Sequence, residues 1–227
     1  MTVRDLDLAG ERVLLRVDFN VPFYPDTREI SDDSRILASV PTIQYLISKQ
    51  CKVVLCSHVG RPNGRVVEDM RMNPISKHLS SLIGIQVVQA SDCVGLGVLN
   101  LVDKLPFGGI IALENVRFKP GEENNDLGFA EELSAVADLY VNDAFGAAHR
   151  VHASTVGVTR YLPSVAGLLM DHELCMLGSL LDNPKRPFVA VLGGAKVSDK
   201  IAAIQNLLSQ VDKLIIGGGM AGPRIAA

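Results

Sequence analysis

Short runs rich in aliphatic and β-branched residues recur along the whole chain: RVLLRVDF, CKVVLCS, GIQVVQ, GGIIALE, DLYVND, RPFVAVLG and KLIIGGG. Between them lie DDSRILASVPTIQYLISK, NPISKHLSSLIG, DLGFAEELSAVA and DKIAAIQNLLSQ, in which apolar residues return three and four positions apart. Runs of the first kind suit strands buried on both faces, and segments of the second kind suit amphipathic helices. Strict alternation of the two calls for an α/β fold: a parallel, Rossmann-like sheet covered by helices on both faces, in three layers. Pro41, inside the first helical stretch, implies a kink or a boundary there. LPSVAGLLMDHELCMLGSLLDNPKRP reads as a long helix ended by Asn183 and Pro184, after which a fresh strand begins. The main domain boundary is therefore expected at that point.

The totals narrow the partners. At 227 residues, 48% of them apolar, the chain can bury one large domain, or one domain and part of another. Its net charge of −3 gives no general attraction for nucleic acid or an anionic membrane, so neither is expected as a partner. No apolar stretch approaches the roughly 20 residues of a membrane span, and MTVRDLDLAGERV lacks the apolar centre of a signal peptide, which places the expected compartment in the cytoplasm. Cys51, Cys56, Cys93 and Cys175 form no C-x-x-C pair and read as small hydrophobic residues of a reducing compartment.

In open parallel sheets, ligands bind beyond the carboxyl ends of the strands, so the residues that follow each apolar run are the informative ones. After the first run come Asp18, Phe19 and Asn20; after the second, SHVGRP with His58 and Arg61; after the fourth, Arg117; after the fifth, Arg150; and Arg35 opens the first helical stretch. A single arginine at such a position is usually a solvated charge. Several converging on one rim of an acidic protein point to a small polyanion, because guanidinium forks match carboxylate and phosphate oxygens in pairs and helix N-termini add free N–H donors. His149 and His152 in HRVH are three apart, but no third ligand is near in the pattern and Arg150 would repel a cation, so no metal site is assigned. His78 and His172 lie in helical patterns and read as structural.

Two glycine-rich segments follow strands. LGGAKVSDK is not a P-loop, yet Gly193, Gly194, Lys196 and Lys200 could place N–H groups and ammonium groups beside a phosphate. IIGGGMAG matches G-x-G-x-x-G at Gly217, Gly219 and Gly222, but the dinucleotide fingerprint also requires a second strand and an acidic residue about 20 positions on. That requirement argues against a dinucleotide-binding oxidoreductase.

Taken together, RVDFNVP, DSRI, SHVGRP, LENVRF, VNDAFG, AHRVHAS, PFVAVLGGAKVSDK and IIGGGMA resemble the phosphoglycerate kinase family, in its order and over nearly the whole chain. The resemblance implies a two-lobed enzyme that transfers a phosphoryl group between 1,3-bisphosphoglycerate and ADP, giving 3-phosphoglycerate and ATP. It implies a substrate lobe at 1–167, a connecting helix at 168–185 and an incomplete second α/β lobe, for the nucleotide, at 186–227. Carried over by motif, Asp18, Phe19, Asn20, Arg35, His58, Val59, Gly60, Arg61, Arg117 and Arg150 would bind substrate. Arg35 and Lys200 would act in catalysis. Gly193, Gly194, Lys196, Lys200, Gly217, Gly218 and Gly219 would face the nucleotide. Magnesium would arrive with ADP or ATP, its ligands lying in the rest of the nucleotide lobe, and no metal ligand is assigned here. The resemblance favours a monomer, whereas an unfinished sheet favours association or a non-catalytic anion-binding fragment that needs a partner lobe.

Overall fold

The computed structural model describes residues 1–182, 184–194 and 201–220. Asn183, Lys196, Lys200 and Gly222 lie outside the described residues. The chain divides into two units, Met1–Glu173 and Leu174–Ala227.

In the first unit, six parallel strands stand in the order β3-β4-β2-β1-β5-β6. They are β1 (Arg12–Arg16), β2 (Lys52–Cys56), β3 (Val87–Gln89), β4 (Ile110–Ala112), β5 (Leu139–Asn142) and β6 (Ser164–Ala166). The period-two alternation of β1 sends its side chains into two separate cores. Val13 and Leu15 pack with Ile36, Ile43 and Leu46 of helix α1 (Ser34–Ser48) and with Ile75 and Leu79 of α2 (Asn73–Ile83). Leu14 packs on the other face with Val98 and Val102 of α3 (Leu96–Lys104), and with Phe129 and Leu133 of α5 (Leu127–Ser134). The result is the expected three-layer α/β fold.

Local chemistry fixes the element ends. Asp126 accepts a hydrogen bond from Phe129 N at 2.8 Å and so starts α5, while Gly84, at φ 67°, stops α2 in a left-handed turn. Three details differ from the sequence reading. Pro41 marks no boundary: α1 runs through it, because Pro41 is exposed on the outer side and the carbonyl it leaves without an N–H partner can be hydrated. SVA is a sixth strand, not the start of a helix, and the helix itself, α6, begins at Leu168 and runs to Asp182. α3 carried no recognised signal, because Gly95 and Gly97 break its apolar pattern.

In the second unit, β7 (Val189–Gly193) and β8 (Lys213–Gly217) form a parallel pair, with α7 at Ile201–Leu208. Val191 and Ile215 are partners in register and remain 70% and 53% exposed, so one face of this pair is apolar and uncovered. Among the described residues, no helix is long and apolar enough to cross a membrane.

Leu14, fully buried at the sheet centre, sets a test of this packing. Leu14→Ala is expected to lower stability by about 2–5 kcal/mol, read as a shift of the urea midpoint at unchanged slope; a midpoint equal to that of the native chain would contradict the two-faced core.

Candidate functional site

Because all strands of the first sheet run the same way, the segments after β1, β2, β4 and β5 leave from one edge. The strand order also reverses around β1, since β2 continues to one side and β5 to the other. The crevice expected at such a reversal lies between the segments that follow β1 and β5.

The segment after β1 is pinned to the one after β2. Phe19 N donates to Ser57 Oγ at 2.9 Å, and Gly60 N donates to Asn20 Oδ1 at 2.9 Å. Phe19 itself is 1% exposed and belongs to the core, so it can contact a ligand only through its backbone. Gly60 sits at φ 62°, where a Cβ would come 2.8 Å from Met70 Sδ, which explains a glycine at that turn. Asp18 Oδ2 receives Arg35 Nη1 at 3.0 Å, and the two line a cleft of about 260 Å³ with Ser39, Asp143 and Gly146. Arg35 remains half exposed.

The third segment supplies the scaffold. Asn115 is fully buried and donates through Nδ2 to Val59 O at 2.8 Å and Met70 O at 2.9 Å, while its Oδ1 accepts from Arg117 N at 3.1 Å. Arg117 is thereby held beside the SHVGRP turn and donates through Nη1 to Gly60 O at 2.7 Å. Arg117 is only 2% exposed, yet its Nε and Nη2 have no hydrogen-bond partner. Glu123 Oε1 stands 3.3 Å from Nε, near enough for ion pairing but without hydrogen-bond geometry. Burial pushes the Arg117 guanidinium down, with Glu123 opposing and Arg150 and Arg16 adding to the effect. An arginine cannot escape by losing its proton, so this guanidinium keeps a positive edge, Nε and Nη2, which Glu123 meets as an ion pair and not as a hydrogen bond.

His58 completes the cluster. Its Nδ1 faces Arg16 Nη2 at 3.1 Å, and arginine can only donate, so Nδ1 is the acceptor and the proton sits on Nε2. Burial first, and then the charges of Arg16, Arg117, Arg150 and His152, drive its pKa from 6.5 down to about 2. The ring is neutral. The structure therefore brings His58, Arg117 and Arg150 into one electrostatic neighbourhood, as the sequence suggested, and adds Arg16 and His152 to it. Arg61 follows Gly60 on the same turn with an exposed side chain, and Val59 is buried, with its carbonyl engaged by Asn115. His149 is exposed, and His78 pairs with Asp33 at 2.8 Å.

In the second unit Gly193 and Gly217 are register partners at the carboxyl ends of β7 and β8, and Gly218 at φ 65° would place a Cβ 3.5 Å from Gly194 O. The two glycine turns, which also include Gly219, are thus neighbours. Lys196 and Lys200 lie outside the described residues, as does Gly222 of the G-x-G-x-x-G match.

A sequence model of phosphoglycerate kinase matches residues 3–227. The chain belongs to the phosphoglycerate kinase family. A phosphoglycerate kinase from Pelotomaculum thermopropionicum is 55% identical over 226 residues, which span all of this chain and 57% of that protein. Another from Gloeothece citriformis is 59% identical over 215 residues, covering 94% of this chain and 53% of its own length. Among solved structures, phosphoglycerate kinase from Coxiella burnetii superposes with a TM-score of 0.86 at 36% identity, covering 100% of this chain and 56% of that one. This chain therefore spans little more than half the length of the relatives it matches.

The neutral state of His58 is testable directly. With a folded pKa near 2 against 6.5 unfolded, the unfolded chain takes up this proton first, so the stability gained by keeping the ring neutral is complete above pH 6.5 and falls as pH drops toward 2. The ring signals of His58 are expected to stay constant from pH 8 to pH 4 by NMR; a midpoint inside that interval would contradict the geometry.

Proposed function

We propose that this chain is the acid-binding part of a phosphoglycerate kinase, acting in phosphoryl transfer between 1,3-bisphosphoglycerate and ADP in glycolysis. The observation that carries this reading is the buried Arg117 guanidinium, whose Nε and Nη2 make no hydrogen bond, beside Arg150 and a neutral His58. A small acid with a phosphate and a carboxylate answers that arrangement, with two-point contacts to guanidinium edges at one end and hydrogen bonds to Asp18, Asn20 and the His58–Arg61 turn at the other. On this reading residues 1–167 form the substrate lobe, 168–185 the connecting helix and 186–227 part of the nucleotide lobe. The glycine turns at 193–194 and 217–219, with Lys196 and Lys200, face the nucleotide.

Transfer of a phosphoryl group asks little covalent chemistry of a protein. It needs in-line placement of donor and acceptor oxygens and fixed positive charge around the equatorial ones. Arg35 is the group proposed to supply that charge from this chain: it is half exposed at the cleft and held by a single carboxylate, so it can turn toward an incoming phosphoryl group. Lys200 would assist from the nucleotide side. Magnesium, carried in with ADP or ATP, supplies charge neutralisation on the phosphates. Among the described residues there is no group of three or more His, Cys, Asp or Glu that could hold a metal ion. The expected setting is the cytoplasm, with small metabolites as partners.

A second reading, an anion-binding fragment that becomes catalytic only with a partner lobe, draws on the uncovered Val191 and Ile215 face and on the 57% coverage of the relative from Pelotomaculum thermopropionicum. Calorimetric titration with 3-phosphoglycerate separates these ideas from a structural role for the arginines. The native chain should bind the acid saturably, and Arg117→Ala should weaken binding by about tenfold or more. No binding by a demonstrably folded native chain would refute the site. Ordinary turnover by this polypeptide alone in a coupled assay would refute the partner-lobe reading.

A further inference from the structure

Arg16 is the bulkiest fully buried side chain among the described residues, and it stands in β1 near the centre of the sheet. Each of its three nitrogens engages a protein group: Nε donates to Ser154 Oγ at 2.9 Å, Nη2 to His58 Nδ1 at 3.1 Å and Nη1 to Val17 O. A cation buried so completely must be balanced, and no carboxylate touches it within ion-pair distance among the described residues.

The balancing group is one step removed. Glu122, in the short helix α4 (Pro120–Glu123), is 0% exposed. Its Oε1 accepts from Ser154 Oγ at 2.6 Å and its Oε2 from Ser154 N at 2.9 Å, while its backbone carbonyl accepts from Ala153 N at 2.9 Å. His152 Nδ1 lies 3.6 Å from Oε1. Burial pushes this carboxyl up, but His152, Arg16 and Ser154 outweigh it and hold the group below its ordinary range, so Glu122 is ionised. The Ser154 hydroxyl is therefore fully committed, receiving from Arg16 and donating to Glu122. Tyr140 Oη adds a further bond to Ser154 O at 2.9 Å, which fixes the residue from behind.

The geometry points to Glu122 as a positioning residue of the anion site: it acts through Ser154 and Arg16 to hold His58 as a neutral Nε2–H donor, and through residues 152–154 to hold the segment that bears Arg150. Glu122 meets the cluster only at His152 and makes no direct contact with His58, Arg117 or Arg150 among the described hydrogen bonds and ion pairs. A direct Glu122–Arg16 pair would balance charge equally well, but it would draw a fork of the guanidinium toward the carboxylate. With Ser154 interposed, only Nε is engaged on that side and Nη2 remains directed at the imidazole. The charged groups that act on the ring are Arg16, Arg117, Arg150 and His152, and among the described residues no carboxylate pairs with it, so the arginine-set tautomer has no competitor there. The role assigned to the site rests on the reading under Proposed function; the order of the relay does not.

The test uses the full chain labelled with nitrogen-15 in histidine, as native protein and as Ser154→Ala and Glu122→Gln. The native His58 spectrum is expected to show one neutral Nε2–H tautomer. Both substitutions should produce a mixture of tautomers at His58 and weaken 3-phosphoglycerate binding about tenfold, as expected for loss of a buried hydrogen bond to a charged group. Variants that melt at lower temperature yet keep the native His58 tautomer and bind the acid within about twofold of native would show a merely structural role and overturn the relay. If neither variant folds, the native spectrum still decides, because a native Nδ1–H tautomer is incompatible with Arg16 as donor. A native chain that fails to bind the acid would defeat the substrate reading, while the His58 spectra of the three proteins would still judge the relay.

Discussion

Parallel alignment is the constraint from which the rest of this molecule follows. With every strand of the first sheet pointing one way, the segments after β1, β2, β4 and β5 must all turn at the same edge. Polar residues scattered over more than 130 positions, from Asp18 to Arg150, are thereby delivered to one rim. The segments after β1, β2 and β4 are then tied together by polar side chains: Asn20 to the Gly60 amide, Asn115 to the Val59 and Met70 carbonyls, and Arg117 to the Gly60 carbonyl. These bonds leave the Nε and Nη2 of Arg117 outside any hydrogen bond, with Glu123 3.3 Å from Nε.

Positive charge concentrated in this way is costly, and the protein manages it by position. Arg16 and Glu122 are both fully buried and are balanced through a hydroxyl, not by contact. Burial and the neighbouring positive charges keep His58 neutral well below its ordinary pKa. Arg35, half exposed, is neutralised by Asp18 at a single oxygen and can be redirected. The gradient runs from rigid and spent at the sheet centre to exposed and available at the cleft. That ordering is what a site needs when fixed donors must hold an anion and one group must respond to it.

Much of the architecture was legible in the sequence because buried parallel strands and amphipathic helices leave different periods. Arg117 and Arg150 stood out in the sequence because each follows an apolar run, and Arg35 because it opens a helical stretch. The supporting layer was harder to see. Arg16 sits inside RVLLRVDF and was read as part of a strand, although a charged residue at a buried position in such a run is itself a signal that a partner waits nearby. Glu122 lies in GEENN, where nothing separates it from solvated neighbours; only the fold brings it to Ser154. SVA was absorbed into the following helix because three residues carry too little pattern, although Pro163 and Gly167 bracket it as strand punctuation would. Gly193 and Gly217 illustrate the opposite case, a pairing that strand register makes certain once β7 and β8 are recognised as parallel.

On the proposed reading, the Nε and Nη2 edge of Arg117, outside any hydrogen bond in the structure, anchors the phosphate of a small acid. The most direct measurement is the NMR signal of the Arg117 Nε–H as 3-phosphoglycerate is added to the native chain. The account predicts a large, saturable shift of that one guanidinium, following the same binding curve as the acid, with the signal of Arg12, paired to Asp138 at the far end of the strand, left in place. Saturable binding that leaves the Arg117 signal unmoved would place the acid elsewhere and contradict the account.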